Sequence, residues 1–325
     1  MTGFPLPEKD SGLNENSLTI KIAMKQSKKY IINCLDNILS PPIKRNKDLL
    51  FIYSAIREVL QLREHILSVL EQIEEEYDVK ILYACESGSR AWGFPSKESD
   101  YDIRFIYIHK KEWYLSIDQR RDVLEVPKHD KLSIPVDKLL DLNGWELTKA
   151  LRLFRKSNPP LLEWLHSNIV YYQAFSAINT MQELESQIFS PISGIHHYLK
   201  MAKGNYRDYL NREEVKIKRY FNIFRPLLAA KWIEKHNEFP PNGFNQLIED
   251  LLPTGEIRKI IDDLIKQKMA GEVLALNPRT EVINPFLEHE IEHLEQYVKD
   301  VLVDIPDPTE LLNQLFRVTL DELWG

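Results

Sequence analysis

The chain has 325 residues, enough for two domains at about 150 residues each and for a sizeable buried core. A hydrophobic share of 43% with 28% charged residues excludes extended disorder, a collagen-like chain and a disulfide-built scaffold. The formal net charge of -7 excludes a strongly basic nucleic-acid coat but leaves room for a local basic groove. Cys34 and Cys85 are the only cysteines, too few for an all-thiolate zinc site or a cluster, so a reducing, cytoplasmic location is expected. No stretch reaches 18 apolar residues, and no membrane span is expected. Met1–Asn16 carries acids and prolines and does not read as a signal peptide.

Residues 1–18 are polar. Ile20–Ile38 mixes apolar and basic residues at helical spacing, and Pro41 and Pro42 then interrupt the chain. Lys47–Tyr77 reads as helical with a break near Glu64; Ile66, Val69, Leu70, Ile73 and Tyr77 mark one face of its second half. Val79–Cys85 reads as a strand, punctuated by Glu86-Ser87-Gly88-Ser89. Asp100–His109 is a second strand, whose run Phe105–Ile108 suits coverage on both faces. Asp122–Val126 reads as a short strand, and Ile134–Leu142 as a more ambiguous one. Glu146–Arg155 is helical, with Leu147, Ala150, Leu151 and Phe154 on one side. Pro159-Pro160 breaks the chain before a short helical piece, Leu161–Ser167. From Phe175 onward every pattern is helical, over 176–187, 193–203, 213–235, 243–250, 255–269, 284–303 and from about 308. This change of character gives a helical extension (1–64), an α/β region (65–174) and an α-only region (175–325).

The chemistry concentrates in Glu86–Phe94 and Ser99–Arg104. A strand ending in Gly88-Ser89 and entering a helix offers free backbone N–H groups, which attract phosphate, and Ser89 adds a hydroxyl. Asp100 and Asp102 stand two apart on a strand, so both carboxylates share a face, about 6–7 Å apart at Cα. Two carboxylates beside a phosphate cradle call for a hard divalent cation such as Mg²⁺. Either half alone is usually a turn or a solvated strand end; together, at this spacing, they are far more specific.

This pattern of Gly-Ser, spacer and Asp-X-Asp resembles the signature of the DNA polymerase beta nucleotidyltransferase superfamily. More closely, Gly88–Gly93 with Ser99–Arg104 resembles a bacterial nucleotidyltransferase family linked to RNA repair. Further matches are Asp141–Leu147, Lys149–Leu151, Asn158-Pro159, Leu162–Leu165, Ile195–Leu199, Lys218, Arg225–Leu227 and Trp232, so the likeness covers residues 65 to 250. It implies an α+β fold: a polymerase-beta-like core with a mixed sheet, followed by an all-helical domain. It also implies transfer of a nucleoside monophosphate from an NTP to an acceptor hydroxyl with release of pyrophosphate, dependent on Mg²⁺ or Mn²⁺. The superfamily uses a third carboxylate on a neighbouring strand. Asp141 is the first candidate, Asp137 the second and Glu125 the third. Asp100, Asp102 and Asp141 are thus the expected catalytic and metal-binding residues.

Around them, Gly88, Ser89, Arg90, Lys149, Lys218 and Arg225 are the expected nucleotide contacts. Arg90 meets phosphate or solvent, and Arg104 neutralises the aspartates or touches substrate. Lys149, Arg152 and Lys156 share a helix face, with Lys149 favoured by the resemblance. For Trp92, packing is preferred over a base platform, and for Glu163 structural anchoring. His196 and His197 are adjacent and make a poor metal pair. Cys85 reads as a buried thiol. Gly194–Trp232 holds nine Lys or Arg against three acids, with interleaved tyrosines, and could wall a cleft for triphosphate or RNA. The acidic stretch 286–300 reads as a packing or self-association surface. An RNA end is the first acceptor considered; a protein or small-molecule acceptor, or a non-catalytic nucleotide-binding regulator, are the alternatives.

Overall fold

The computed structural model describes residues 47–96, 99–211, 216–274, 280–301 and 307–325. The expected helix over Ile20–Ile38, the Pro41-Pro42 break and Cys34 lie outside them. By packing, the chain divides into two units, Met1–His65 and Ile66–Gly325. Helix α1 (Lys47–Tyr77) runs unbroken through Glu64, where the sequence suggested an interruption. No glycine or proline stands in that segment, so the backbone ladder continues. Within the second unit, Ile66, Val69, Leu70 and Ile73 of α1 are buried, as their spacing predicts.

The strands are β1 (Val79–Glu86), β2 (Tyr101–His109), β3 (Val123–Val126), β4 (Leu140–Glu146) and β5 (Val170–Gln173). They form one mixed sheet in the order β3-β4-β2-β1-β5. β1 pairs antiparallel with β2 and β5, and β3 antiparallel with β4, whereas β2 and β4 run parallel. The sequence placed a strand over Ile134–Leu142; the strand instead begins at Leu140 and runs to Glu146. Pro135 cannot donate to a ladder, while Leu140, Leu142, Gly144 and Glu146 alternate inward. Gly144 lies so close to Phe105 that a Cβ would sit 2.1 Å from its ring. β5 was not foreseen, because four residues show too little periodicity.

Two short helices, α2 (Gly88–Ala91) and α3 (Lys111–Tyr114), follow β1 and β2. The helices α4 (Leu147–Arg155) and α5 (Pro159–Leu165) follow β4. Glu146, expected in the first turn of α4, is its N-cap and accepts the Thr148 N–H. Pro159-Pro160, read as a break before a helical piece over 161–167, opens that helix instead: Asn158 caps α5 and Pro159 takes its first position. The helical remainder comprises α6 (Ala177–Ile188), α7 (Pro191–Leu210), α8 (Ile217–His236) and α9 (Phe244–Leu251). It ends with α10 (Glu256–Met269), α11 (Thr280–Asp300) and α12 (Thr309–Trp324).

One apolar cluster joins the sheet to these helices. It runs from Leu82, Ile106 and Ile108 through Phe154 and Trp164 to Met181, Tyr198 and Phe224. The acidic face of α11 packs inward: Glu288 accepts the Tyr206 hydroxyl, Glu290 pairs with Lys231 and Glu295 with Lys203. The architecture is a mixed β-sheet core flanked by helices and followed by a helical region, consistent with a polymerase-beta-like fold.

Candidate active site

β1 ends at Glu86, and Gly88 turns the chain with φ +62°. A Cβ at this position would stand 2.1 Å from Asp102 Oδ2, so only glycine lets the turn close over that carboxylate. The Ser87 N–H donates to the Asp102 carbonyl at 2.9 Å, stitching the turn to the start of β2. Ser89 Oγ lies 3.3 Å from Ser99 Oγ. Arg90 donates to the carbonyls of Ser99 (2.7 Å) and Asp100 (3.2 Å), and its guanidinium lies 3.6 Å over the Tyr101 ring. Arg90 therefore braces the return of the chain into β2. The turn leads into one helical turn only, so it contributes backbone donors and little macrodipole.

Asp102 and Asp141 are register partners across the parallel pair β2 and β4. A single guanidinium meets both: Arg104 Nη2 lies 2.8 Å from Asp102 Oδ1 and 3.0 Å from Asp141 Oδ2. Its Nη1 donates to the Asp141 carbonyl at 2.9 Å. Burial pushes the Asp102 carboxyl above its ordinary range; Arg104 opposes the shift, Asp141 adds to it, Lys218 opposes it and Asp100 adds to it. Lys218, exposed on the first turn of α8, thus places a positive charge within reach of Asp102. Asp137 and Glu125, the other two candidates, have partners of their own. Asp137 Oδ1 accepts the Leu139 N–H at 2.8 Å in the turn before β4, and Glu125 pairs with Arg121 at 3.1 Å.

Two residues here escaped the sequence reading. Glu86 is fully buried; it accepts the Asp102 N–H at 2.9 Å and the Tyr171 hydroxyl at 2.5 Å. Burial raises its carboxyl above the ordinary range. An acid closing an apolar strand was the available signal, but its partner Tyr171 sits on the unforeseen β5. Lys268 on α10 is nine-tenths buried and donates to the Phe94 carbonyl at 2.8 Å. Burial lowers its pKa, and the charge of Lys218 lowers it further.

Two expected nucleotide contacts are placed elsewhere. Lys149 pairs with Asp122 at 3.0 Å, joined there by Arg152 at 2.9 Å, beyond the far end of β4. Asp141 and Glu146 are five residues apart, about 17 Å of strand, which separates this cluster from the aspartates. Arg225 is 3% exposed, pairs with Glu163 at 2.7 Å and lies 4.5 Å from the centroid of Trp92. It supports the turn from beneath, so Trp92 and Glu163 take the packing and anchoring roles. Lys203, Arg225 and Lys231 are all paired with acids, so the basic stretch is only partly open. Cys85 is buried, its thiol pushed up to about 12.

The chain matches the RlaP family, the RNA repair pathway DNA polymerase beta family, over residues 62–318. It belongs to that family. Another relative is YcgL, an uncharacterised protein of Bacillus subtilis (strain 168). It is 49% identical over 263 residues, which span 81% of this chain and 98% of that protein. The crystal structure of a nucleotidyltransferase-like protein from Exiguobacterium sibiricum 255-15 covers 71% of this chain and 75% of that one, at 10% identity and a TM-score of 0.25. RlaP membership supports enzymatic nucleotidyl transfer as the general reaction class and RNA repair as its setting.

The donor chemistry of this RlaP site suits a hard divalent cation, since Asp100, Asp102 and Asp141 all offer carboxylate oxygens. Among the described residues, however, no three His, Cys, Asp or Glu side chains form a group ready to hold a metal. Arg104 stands between Asp102 and Asp141, a cation lodged between two carboxylates. Each carboxylate keeps a second oxygen, Asp102 Oδ2 and Asp141 Oδ1, that Arg104 does not contact. Among the described residues, no helix is long and apolar enough to cross a membrane.

Proposed function

We propose that the chain transfers a nucleoside monophosphate from an NTP to an acceptor hydroxyl, with an RNA end as acceptor and pyrophosphate as leaving group. The observation that carries this reading is the in-register pair Asp102 and Asp141 beside the Gly88 turn. Asp100, Asp102 and Asp141 would hold Mg²⁺ or Mn²⁺, which when bound stabilises charge on the attacking and leaving oxygens. The Gly88-Ser89 turn receives the triphosphate through backbone N–H groups and the Ser89 hydroxyl. Arg90 fixes the loop that carries Asp100, and Lys218 adds positive charge across from Asp102. Asp141, with its side chain 51% exposed, can accept the proton of an incoming hydroxyl. On the same footing, residues 65–174 form the catalytic domain and 175–325 the substrate-binding domain of a cytoplasmic enzyme.

The test is to incubate wild type and Asp102→Asn with each α-labelled NTP, Mg²⁺ or Mn²⁺, and RNA. A nuclease-sensitive labelled product made only by wild type is expected. Protease-sensitive label would move the acceptor to a protein. No transfer with RNA, protein extract or small molecules would overturn catalysis in favour of a nucleotide-binding regulator.

A further inference from the structure

The opposite end of the same sheet holds a second prepared pocket. A cavity of about 190 Å³ opens there, lined by Trp113, Tyr114, Arg120, Asp122, Thr148 and Arg152 among others. His109, on which Trp113 rests, is seven residues along β2 from Asp102, about 23 Å away. The cavity is therefore separate from the aspartate site.

Its walls are held in place by groups the transfer reaction does not use. Glu146 is fully buried and accepts the Tyr114 hydroxyl at 2.6 Å, the Thr148 N–H at 2.7 Å and the Thr148 hydroxyl. A carboxylate withdrawn from water is costly unless satisfied, and here the groups that satisfy it are pocket walls. Asp122 is clamped between Lys149 and Arg152. Trp113 lies flat on His109, with centroids 4.2 Å apart and planes 7° from parallel. Walls locked by such contacts are what a binding pocket needs for geometric selectivity.

The same contacts indicate the ligand. One face of Trp113 is covered by His109; the exposed Arg120 guanidinium lies over the ring, 5.9 Å from its centroid. Arg152 has its side chain 54% exposed and engages Asp122 through Nη2. A planar heteroaromatic ring can stack on an aromatic face, and guanidinium groups bind phosphate in a planar fork.

We infer that this pocket binds a single nucleotide, its base stacked on Trp113 and its phosphate held by Arg120 and Arg152. The inference goes beyond the transfer reaction and does not depend on it. The nucleotide is either a free monophosphate or one unpaired unit of a strand.

Full-length Asp102→Asn protein, silent in transfer, is titrated with AMP and separately with a short single-stranded oligoribonucleotide. Tryptophan fluorescence and calorimetry follow both titrations. Binding of AMP assigns a free nucleotide, and binding of the oligonucleotide alone assigns a strand. In either case Arg120→Glu, a change at an exposed position, weakens binding at least tenfold. Trp113→Phe keeps calorimetric binding but loses the fluorescence quench, because the stacking ring remains and the reporter is gone. The inference is overturned if neither probe binds, if Arg120→Glu binds within twofold, or if Trp113→Phe keeps the full quench.

Discussion

Gly88 sets how closely the turn after β1 approaches Asp102. An added Cβ would meet Asp102 Oδ2 at 2.1 Å, and the φ of +62° strains any larger residue as well. Gly88→Ala should therefore displace the carboxylate and lower transfer by about 100-fold, as misplacements of about 1 Å do. Steady-state transfer with retained far-UV circular dichroism checks this. Beside it, Glu86 has a carboxyl raised by burial, so the folded chain keeps this proton to higher pH than the unfolded chain. Its contribution to stability is full at low pH and declines as pH rises above about 4.5. Glu86→Gln stays neutral and can still meet Tyr171. The melting temperature of the variant should thus gain on that of wild type between pH about 4 and about 7; a gap that does not change with pH would contradict the assignment.

Arg225 and Glu163 tie α5 to α8. The ion pair is buried, and Glu163 Oε1 also accepts the Tyr198 hydroxyl at 2.8 Å. Removing one partner of a buried pair leaves the other uncompensated, at a cost of about 3–5 kcal/mol. Arg225→Met should show a loss of that size in denaturant unfolding. Adding Glu163→Gln to it should recover part of the loss, because no lone charge then remains. A phosphate-binding role for Arg225 would instead leave stability nearly intact and raise only the KM for NTP. Its helical spacing from Lys218 was legible in the sequence. Spacing shows which residues share a face of a helix, not what that face meets, and for Arg225 it meets Trp92 and Glu163.

Across the whole second unit, the helical region grips the turn that carries Gly88. The Phe244 N–H donates to the Trp92 carbonyl at 3.0 Å, and the Phe94 ring lies 4.6 Å from Phe221 and 5.3 Å from Phe244. Lys268 completes the grip at the Phe94 carbonyl. Lys268→Met keeps the packed stem and relieves a buried charge while freeing that carbonyl. The two effects oppose each other, so stability should change by only about 1 kcal/mol. Transfer should nevertheless fall, with kcat more affected than KM, because the turn loses its tether. Kinetics and chemical denaturation on one preparation separate the two quantities.

The sequence by itself determined the local features. Asp100 and Asp102 were read as sharing a strand face, although the strand itself begins at Tyr101; Gly88-Ser89 marked the turn before them, and apolar periodicity marked most of the helices. These signals are local because strand and helix geometry repeat within a few residues. Tertiary structure alone decided which elements meet. The parallel register brought Asp141 to Asp102, and β5 brought Tyr171 to Glu86. Packing of α8 and α10 turned Arg225 and Lys268 toward the Gly88–Phe94 segment, while the length of β4 carried Lys149 away to a second pocket. Residues far apart along the chain meet through long-range pairing and burial, and no short stretch of sequence encodes those contacts.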